Sequence, residues 1–195
     1  MKKLVLFDLD GTLVNAGGAG RTALKKAFEE LYGSCPEFEH SLISGRTDTD
    51  NFTLVYGLLN NGKKPTAAEM KKMTAKYLEL LPIEVHAAVR AKHYDLVPGV
   101  EKFLKLLQKD PDVILALGTG NLEQGARIKL EPSGLNSFFE LGGFGEDGHT
   151  REDMLLAAVK RAEKKYKTTL KPENIYVIGD THRDIVAAKN CGFHS

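Results

Sequence analysis

The feature that most constrains this chain is a repeated unit: a short apolar run without helical period, cut off by polar residues, then an amphipathic helical pattern. Residues 3–8 read Lys-Leu-Val-Leu-Phe-Asp, residues 113–117 read Val-Ile-Leu-Ala-Leu, and residues 174–178 read Asn-Ile-Tyr-Val-Ile. Runs this short and this continuously apolar are expected for strands covered on both faces. Between them, Phe103, Leu104, Leu106 and Leu107 mark a helix over 100–109, ended by Pro111. Further helices are predicted over 123–130 and 152–166, a short strand near 138–141, and a last helix beginning at 185–190. Strand alternating with helix implies an α/β fold with a doubly wound parallel sheet, Rossmann-like in outline.

From about residue 21 to residue 94 the pattern is almost wholly helical. Ala23, Leu24, Ala27, Phe28 and Leu31 fall at helical spacing, as do Met70, Met73, Tyr77 and Leu80, with Pro36, Gly62-Lys63-Lys64-Pro65 and Pro82 as punctuation. The expected organisation is a core formed by residues 1–14 and 95–195 with an α-helical cap domain, 15–94, inserted after the first strand. Gly17, Gly18 and Gly20 mark a flexible exit into it. At 195 residues and 42% hydrophobic, the chain can bury a core and carry one insert.

Charge and hydropathy exclude several classes. A net charge of +1 gives no global field for nucleic acid or a membrane surface. Four apolar residues precede Asp8, where a secretory segment needs roughly 7–15 and a membrane span ~20. Cys35 and Cys191 stand far apart with no CxxC pair, so they are expected as free thiols of a cytoplasmic protein.

In doubly wound sheets reactive groups gather beyond the carboxyl ends of the strands. Asp8-Leu9-Asp10-Gly11-Thr12 sets two carboxylates two residues apart at such an end. One carboxylate can attack phosphorus, and a second can protonate a leaving oxygen and then activate water. A polar turn with an Asx cap is the plainer reading of an isolated DxDG. Gly118-Thr119-Gly120-Asn121 offers a hydroxyl and backbone N–H groups as an anion site, though a helix cap explains Asn121 as well. Asp180 and Asp184, four apart after the third run, suit Mg²⁺, a hard cation that prefers carboxylates. N-capping by Asp180 or Thr181 is again the plainer alternative.

In this order, DLDGTL, the strand-end Thr-Gly-Asn and Gly179-Asp180-Thr181-His182-Arg183-Asp184 resemble the first, second and fourth motifs of the haloacid dehalogenase-like hydrolase superfamily. The layout is most similar to its phosphoglycolate phosphatase and β-phosphoglucomutase branch, and Pro98-Gly99-Val100 matches the return from the cap. The resemblance implies a nucleophile at Asp8, a general acid/base at Asp10, and Thr119 hydrogen-bonded to the phosphoryl group. Gly11, Thr12, Gly120 and Asn121 would surround that group, and Asp8, Asp10 (through its carbonyl), Asp180 and Asp184 would hold Mg²⁺. Arg46, in Ser44-Gly45-Arg46-Thr47-Asp48, is expected to face the site and grip a second anionic group, unless it is a surface arginine at a helix start. The activity implied is hydrolysis of a small phosphorylated metabolite through an aspartyl-phosphate. A sugar-phosphate mutase and a non-catalytic phosphometabolite-binding protein are the alternatives, whereas a dehalogenase would lack Asp10.

The chain departs from the pattern at the third motif. A lysine is expected just before the 152–166 helix, and the segment reads Gly148-His149-Thr150-Arg151-Glu152. Lys129 is the preferred substitute and Arg151 the alternative. The chain also ends at Ser195, where relatives usually add a strand and a helix, so a truncated chain or a smaller sheet is expected. Two other signals are set aside. Gly143-Phe144-Gly145-Glu146-Asp147-Gly148 spells GxGxxG but lacks the long first strand and later acid of a dinucleotide site. Lys160-Arg161 and Lys164-Lys165-Lys167 read as a solvated helix face. No histidine spacing supports zinc.

Overall fold

The computed structural model describes residues 1–148 and 150–195, and of His40 the backbone alone. Strand β1 (Lys3–Phe7) is followed by β2 (Val14–Ala16) and helices α1 (Ala19–Tyr32), α2 (His40–Ile43), α3 (Asp48–Leu59) and α4 (Ala67–Arg90). Then come β3 (Tyr94–Leu96), α5 (Val100–Leu107), β4 (Val113–Gly118), α6 (Glu123–Leu130), β5 (Gly142–Gly143), α7 (Arg151–Tyr166), β6 (Ile175–Ile178) and α8 (His182–Asn190). Among the described residues, β5-β4-β1-β6 form a parallel sheet, with Leu4 opposite Ile114 on one side and Ile175 on the other.

The period of two along each strand sorts its side chains to opposite faces. Leu4, Leu6, Ile114, Ala116, Ile175 and Val177 pack on α7 and α8. Val5, Phe7, Leu115 and Leu117 pack the other way, with Leu104 of α5 and Leu130 of α6. Both faces are therefore covered, which is why the runs lack polar alternation. The helices between β2 and β3 bury a cluster of their own, including Leu24, Phe28, Phe52, Val55, Met73 and Tyr77. Their starts are marked by local chemistry: Thr47 accepts the Asp50 N–H at 3.1 Å, and Thr66 and Glu69 form a capping box. No helix among the described residues is long and apolar enough to cross a membrane.

Three local expectations need correction. The strand expected at 138–141 lies at Gly142–Gly143, because Leu135–Phe138 coils into a 3₁₀ turn and Phe139 is drawn into the core. Pro82 does not break the chain but sits inside α4. The lost N–H costs one rung of the ladder, and burial of Leu80, Leu81 and Val85 around it holds the helix together. Finally, Tyr94 does not close a helical stretch: it opens β3, which pairs antiparallel with β2. Both passages between sheet and helices thus run side by side. The chain end also returns to the sheet, where His194 bridges to Tyr176 beside β6.

Leu6 is fully buried at the centre of β1, whereas Leu106 is 62% exposed. Leu6→Ala should cost about 2–5 kcal/mol and Leu106→Ala about 0.5 kcal/mol or less, as read from urea unfolding midpoints.

Candidate active site

Each strand of the sheet's centre ends in a polar residue of interest. Asp8 follows β1 and extends the ladder, its N–H donating to the Ile178 carbonyl at 2.8 Å. Thr119 follows β4 in the same way, donating to the Gly143 carbonyl at 3.1 Å. Asp180 lies two residues beyond β6, and Asp184 in the first turn of α8. This convergence brings carboxylate oxygens of Asp8, Asp180 and Asp184 within 4.8 Å of one another. Gly11 permits it. Its φ is +82°, and a Cβ there would stand 2.3 Å from Asp180 Oδ2.

Arg151, the first residue of α7, balances this acidic side. Its Nη2 lies 3.5 Å from Asp8 Oδ2 and pairs closely with Asp184 Oδ1, while Nη1 donates to the Gly45 carbonyl at 3.3 Å. The other Asp184 oxygen accepts the Thr181 N–H at 3.1 Å and hydroxyl at 2.6 Å, a capping box for α8. N-capping and acid clustering are thus the same structure. Burial pushes the Asp8 carboxyl up to about 6, with Arg151 pulling it down and Asp184 adding to the rise. Asp180 is raised as well, by burial first and then by Asp184 and Asp10.

The second half of the site is organised by Asn121 and Lys129. Lys129 is 5% exposed, so it is no surface lysine. Its Nζ donates to Asp10 Oδ2 and to Asn121 Oδ1, each at 2.6 Å. Asn121 Nδ2 donates to the same Asp10 oxygen and to Thr119 Oγ1, each at 2.9 Å. Burial disfavours the charge on Lys129, but Asp10 and Asp48 outweigh it and the pKa rises. Both candidates for the third-motif cation are therefore present, Arg151 facing Asp8 and Lys129 facing Asp10.

These groups surround a cavity of about 480 Å³ between the sheet's carboxyl edge and the helices preceding β3. Asp8, Asp10, Gly11 and Asp180 line its floor, with Gly120, Asn121, Lys129 and Arg151 around them. Arg46 reaches it from the helical side, its Nε donating to the Leu42 carbonyl at 2.9 Å, and Arg21, His93 and Tyr77 line the same side. Thr12, Thr119 and Asp184 are not part of the wall. Thr119 is fully buried behind Asn121, and the Thr12 hydroxyl is buried without a hydrogen-bond partner among the described residues.

Two residues escape sequence reasoning. Asp48 reads as an ordinary acid in a helix first turn, yet its Oδ2 accepts the Leu122 N–H at 2.9 Å across the cavity edge. Burial lifts its carboxyl to about 6, with Lys129 and that N–H opposing. Tyr77 reads as one more apolar position of α4, yet its ring lines the cavity and its hydroxyl pKa is raised by burial, Asp48 and Asp10. The GxGxxG loop has a packing role: the Gly145 N–H donates to the Asn121 carbonyl at 2.8 Å, and a Cβ on Gly145 would lie 2.2 Å from the Gly120 carbonyl oxygen.

A doubly wound α/β protein with clustered acids at the carboxyl ends of adjacent parallel strands is the class that fold and site define. Comparison with known proteins narrows it. A family profile described as haloacid dehalogenase-like hydrolase matches residues 5–195, and the chain belongs to that family. It is 31% identical over 199 residues to Probable phosphatase IndB of Dickeya dadantii (strain 3937), covering 98% of this chain and 79% of that protein. Among solved structures, CbbY from Rhodobacter sphaeroides in complex with phosphate superposes with a TM-score of 0.73 at 18% identity, covering 99% of this chain and 84% of that one. A mutant of CbbY in complex with xylulose-(1,5)bisphosphate gives 0.72 at 18% identity, with the same coverage of both chains. A haloacid dehalogenase-like hydrolase from Streptococcus pneumoniae gives 0.64 at 20% identity, covering 98% and 82%. At these identities the structures speak for the fold.

The pairing of Arg151 with Asp184 has a structural consequence. Asp184 is 2% exposed, and removing it takes from the buried Arg151 guanidinium its nearest carboxylate and from Thr181 the acceptor at the start of α8. Asp184→Ala should cost about 3–5 kcal/mol in urea unfolding, and Asp184→Asn, which keeps an acceptor for Thr181, distinctly less.

Proposed function

We propose that this hydrolase is a phosphatase acting on small phosphorylated metabolites, with Asp8 as nucleophile. The observation that carries the reading is the division of labour between the two carboxylates after β1. Asp8 faces Arg151 and the acid cluster, while Asp10 is gripped through one oxygen by Lys129 and Asn121. An Asp8 oxygen attacks phosphorus, the bond to the leaving oxygen breaks, and an aspartyl-phosphate forms. Asp10 enters this step protonated on the oxygen that Lys129 does not hold and gives that proton to the leaving oxygen. The ionised Asp10 then takes a proton from water as that water attacks the phosphorus, returning Asp8 and inorganic phosphate.

The phosphoryl group in transit spreads negative charge over its equatorial oxygens. Arg151 is placed to cover one side, and its Nε is buried without a partner among the described residues, which leaves the side chain donor capacity to spare. We assign the third-motif role to Arg151 and the holding of Asp10 to Lys129. The carboxylates of Asp8 and Asp180 are hard oxygen donors in an acid cluster with Asp184 whose spacing suits Mg²⁺, and the Asp10 carbonyl would be a further donor. Bound there, the cation would supply charge that keeps Asp8 ionised next to a phosphate dianion. Asp184, already engaged by Arg151 and Thr181, serves as the support of this group.

The helical segment 15–94 acts as a cap that selects the substrate. Arg46, free of any carboxylate partner among the described residues, is positioned to hold a second anionic group. The name of the Dickeya dadantii relative supports a phosphatase, and the sugar bisphosphate bound by the CbbY mutant supports a small phosphorylated metabolite as substrate.

Asp8→Asn should lower turnover of p-nitrophenyl phosphate by at least ~10³, and activity within tenfold of wild type would sink the assignment. Chelation should abolish activity and Mg²⁺ restore it. Arg151→Ala should cost on the order of 10²–10³ in kcat, with Arg151→Lys recovering part. A loss below about tenfold would place the covering charge elsewhere.

A further inference from the structure

Asn121 ties Thr119, Asp10 and Lys129 together, so its own placement decides whether the acid/base half of the site is assembled. Its own N–H donates to Thr119 Oγ1 at 3.3 Å, and from the helical side Asp48 holds the groups on either side of it. The Asp48 N–H donates to the Gly120 carbonyl at 2.8 Å, and Asp48 Oδ2 accepts the Leu122 N–H at 2.9 Å. Those two groups belong to the peptide units immediately before and after Asn121. The adjacent Thr49 hydroxyl donates to the Gly145 carbonyl at 2.9 Å, and the Gly145 N–H in turn holds the Asn121 carbonyl. The contact is close: a Cβ on Gly120 would lie 2.7 Å from the Arg46 carbonyl oxygen, so the two backbones touch with no room for a side chain between.

We propose that Asp48 is a positioning residue: it clamps both peptide groups of Asn121, so that the Asn121–Thr119–Asp10–Lys129 arrangement is completed by the segment opening α3. This rests on the reading of Asp8 and Asp10 given above. Leu122 precedes the first residue of α6, so the Asp48 carboxylate also meets the positive end of that helix. A small rotation of the Asn121 peptides would swing its side-chain amide away from Asp10 Oδ2. Misplacement by about 1 Å is enough to cost on the order of 10²-fold in rate. Asp48 reaches the reacting groups through Asn121 and the acid/base half that Asn121 organises, so the effect belongs in kcat.

The test is a double-mutant cycle with p-nitrophenyl phosphate on Asp48→Ala, Asn121→Ala and the pair, with Asp48→Asn and Asp8→Asn alongside and folding checked by circular dichroism. Asp48→Ala should lower kcat roughly 10–100-fold, with KM within about threefold of wild type. Asp48→Asn, which keeps an acceptor for Leu122, should recover most of the rate. In the Asn121→Ala background, Asp48→Ala should cost little more, because the residue it positions is gone. Penalties that add in the double variant, an Asp48→Ala rate within about twofold of wild type, or an Asp48→Asn variant as slow as Asp48→Ala would each overturn the clamp. If Asp48→Ala does not fold, Asp48→Ser, too short to reach the Leu122 N–H, takes its place. An Asp8→Asn enzyme that keeps more than about a tenth of the activity overturns the nucleophile on which the clamp rests, independently of the Asp48 results.

Discussion

Carboxylates brought close together repel, and everything at the end of this sheet follows from how that repulsion is met. Asp8, Asp180 and Asp184 approach within 4.8 Å, with Asp10 beside them. Without opposite charge such a group would protonate or push its strands apart. Two buried cations answer it from different elements: Arg151 from the start of α7 against Asp8 and Asp184, and Lys129 from α6 against Asp10. The helices are thus more than cover for the sheet. Each delivers one positive charge to one side of the acid group, and the two sides thereby acquire different chemistry from the same residue type.

The parts of this arrangement that were legible in the sequence are those governed by local pattern. β1, β4 and β6 announce themselves because both faces are covered, leaving no polar interruption until the chain reaches the edge where Asp8, Thr119 and Asp180 emerge. What was not legible depends on partners remote in sequence. β5 is two glycines with no strand propensity, held by β4 alone. β2 and β3 are three residues each, of mixed polarity, and become strands only by meeting one another. Pro82 survives inside α4 because packing outweighs one missing hydrogen bond. The sequence favoured Lys129 over Arg151 for the third-motif role, and the proposed assignment reverses that order, since the reach of a long side chain depends on which helix start lies nearest the acids. Asp48 carried no signal at all, because a first-turn acid has a sufficient local explanation.

The GxGxxG run teaches the same lesson from the other direction. Its glycines match a nucleotide fingerprint letter by letter, yet the space that Gly145 leaves is taken by the Gly120 carbonyl. A pattern of missing side chains records that something approaches the backbone, and in this chain the visitor is another loop of the same protein.

The position of β1 between β4 and β6 also sets where the molecule can breathe. A strand paired on both edges and covered on both faces exchanges its amide hydrogens only through the rarest openings, those that dismantle the whole sheet. Asp8 is attached directly to that strand, while Arg46 and Asp48 belong to a segment joined to the core by loop contacts, the narrow β2–β3 ribbon and the packing of α4 on α6. The reactive carboxylate is therefore fixed to the last part of the protein to loosen. The groups that face it across the cavity ride on a part that can fluctuate without disturbing the frame.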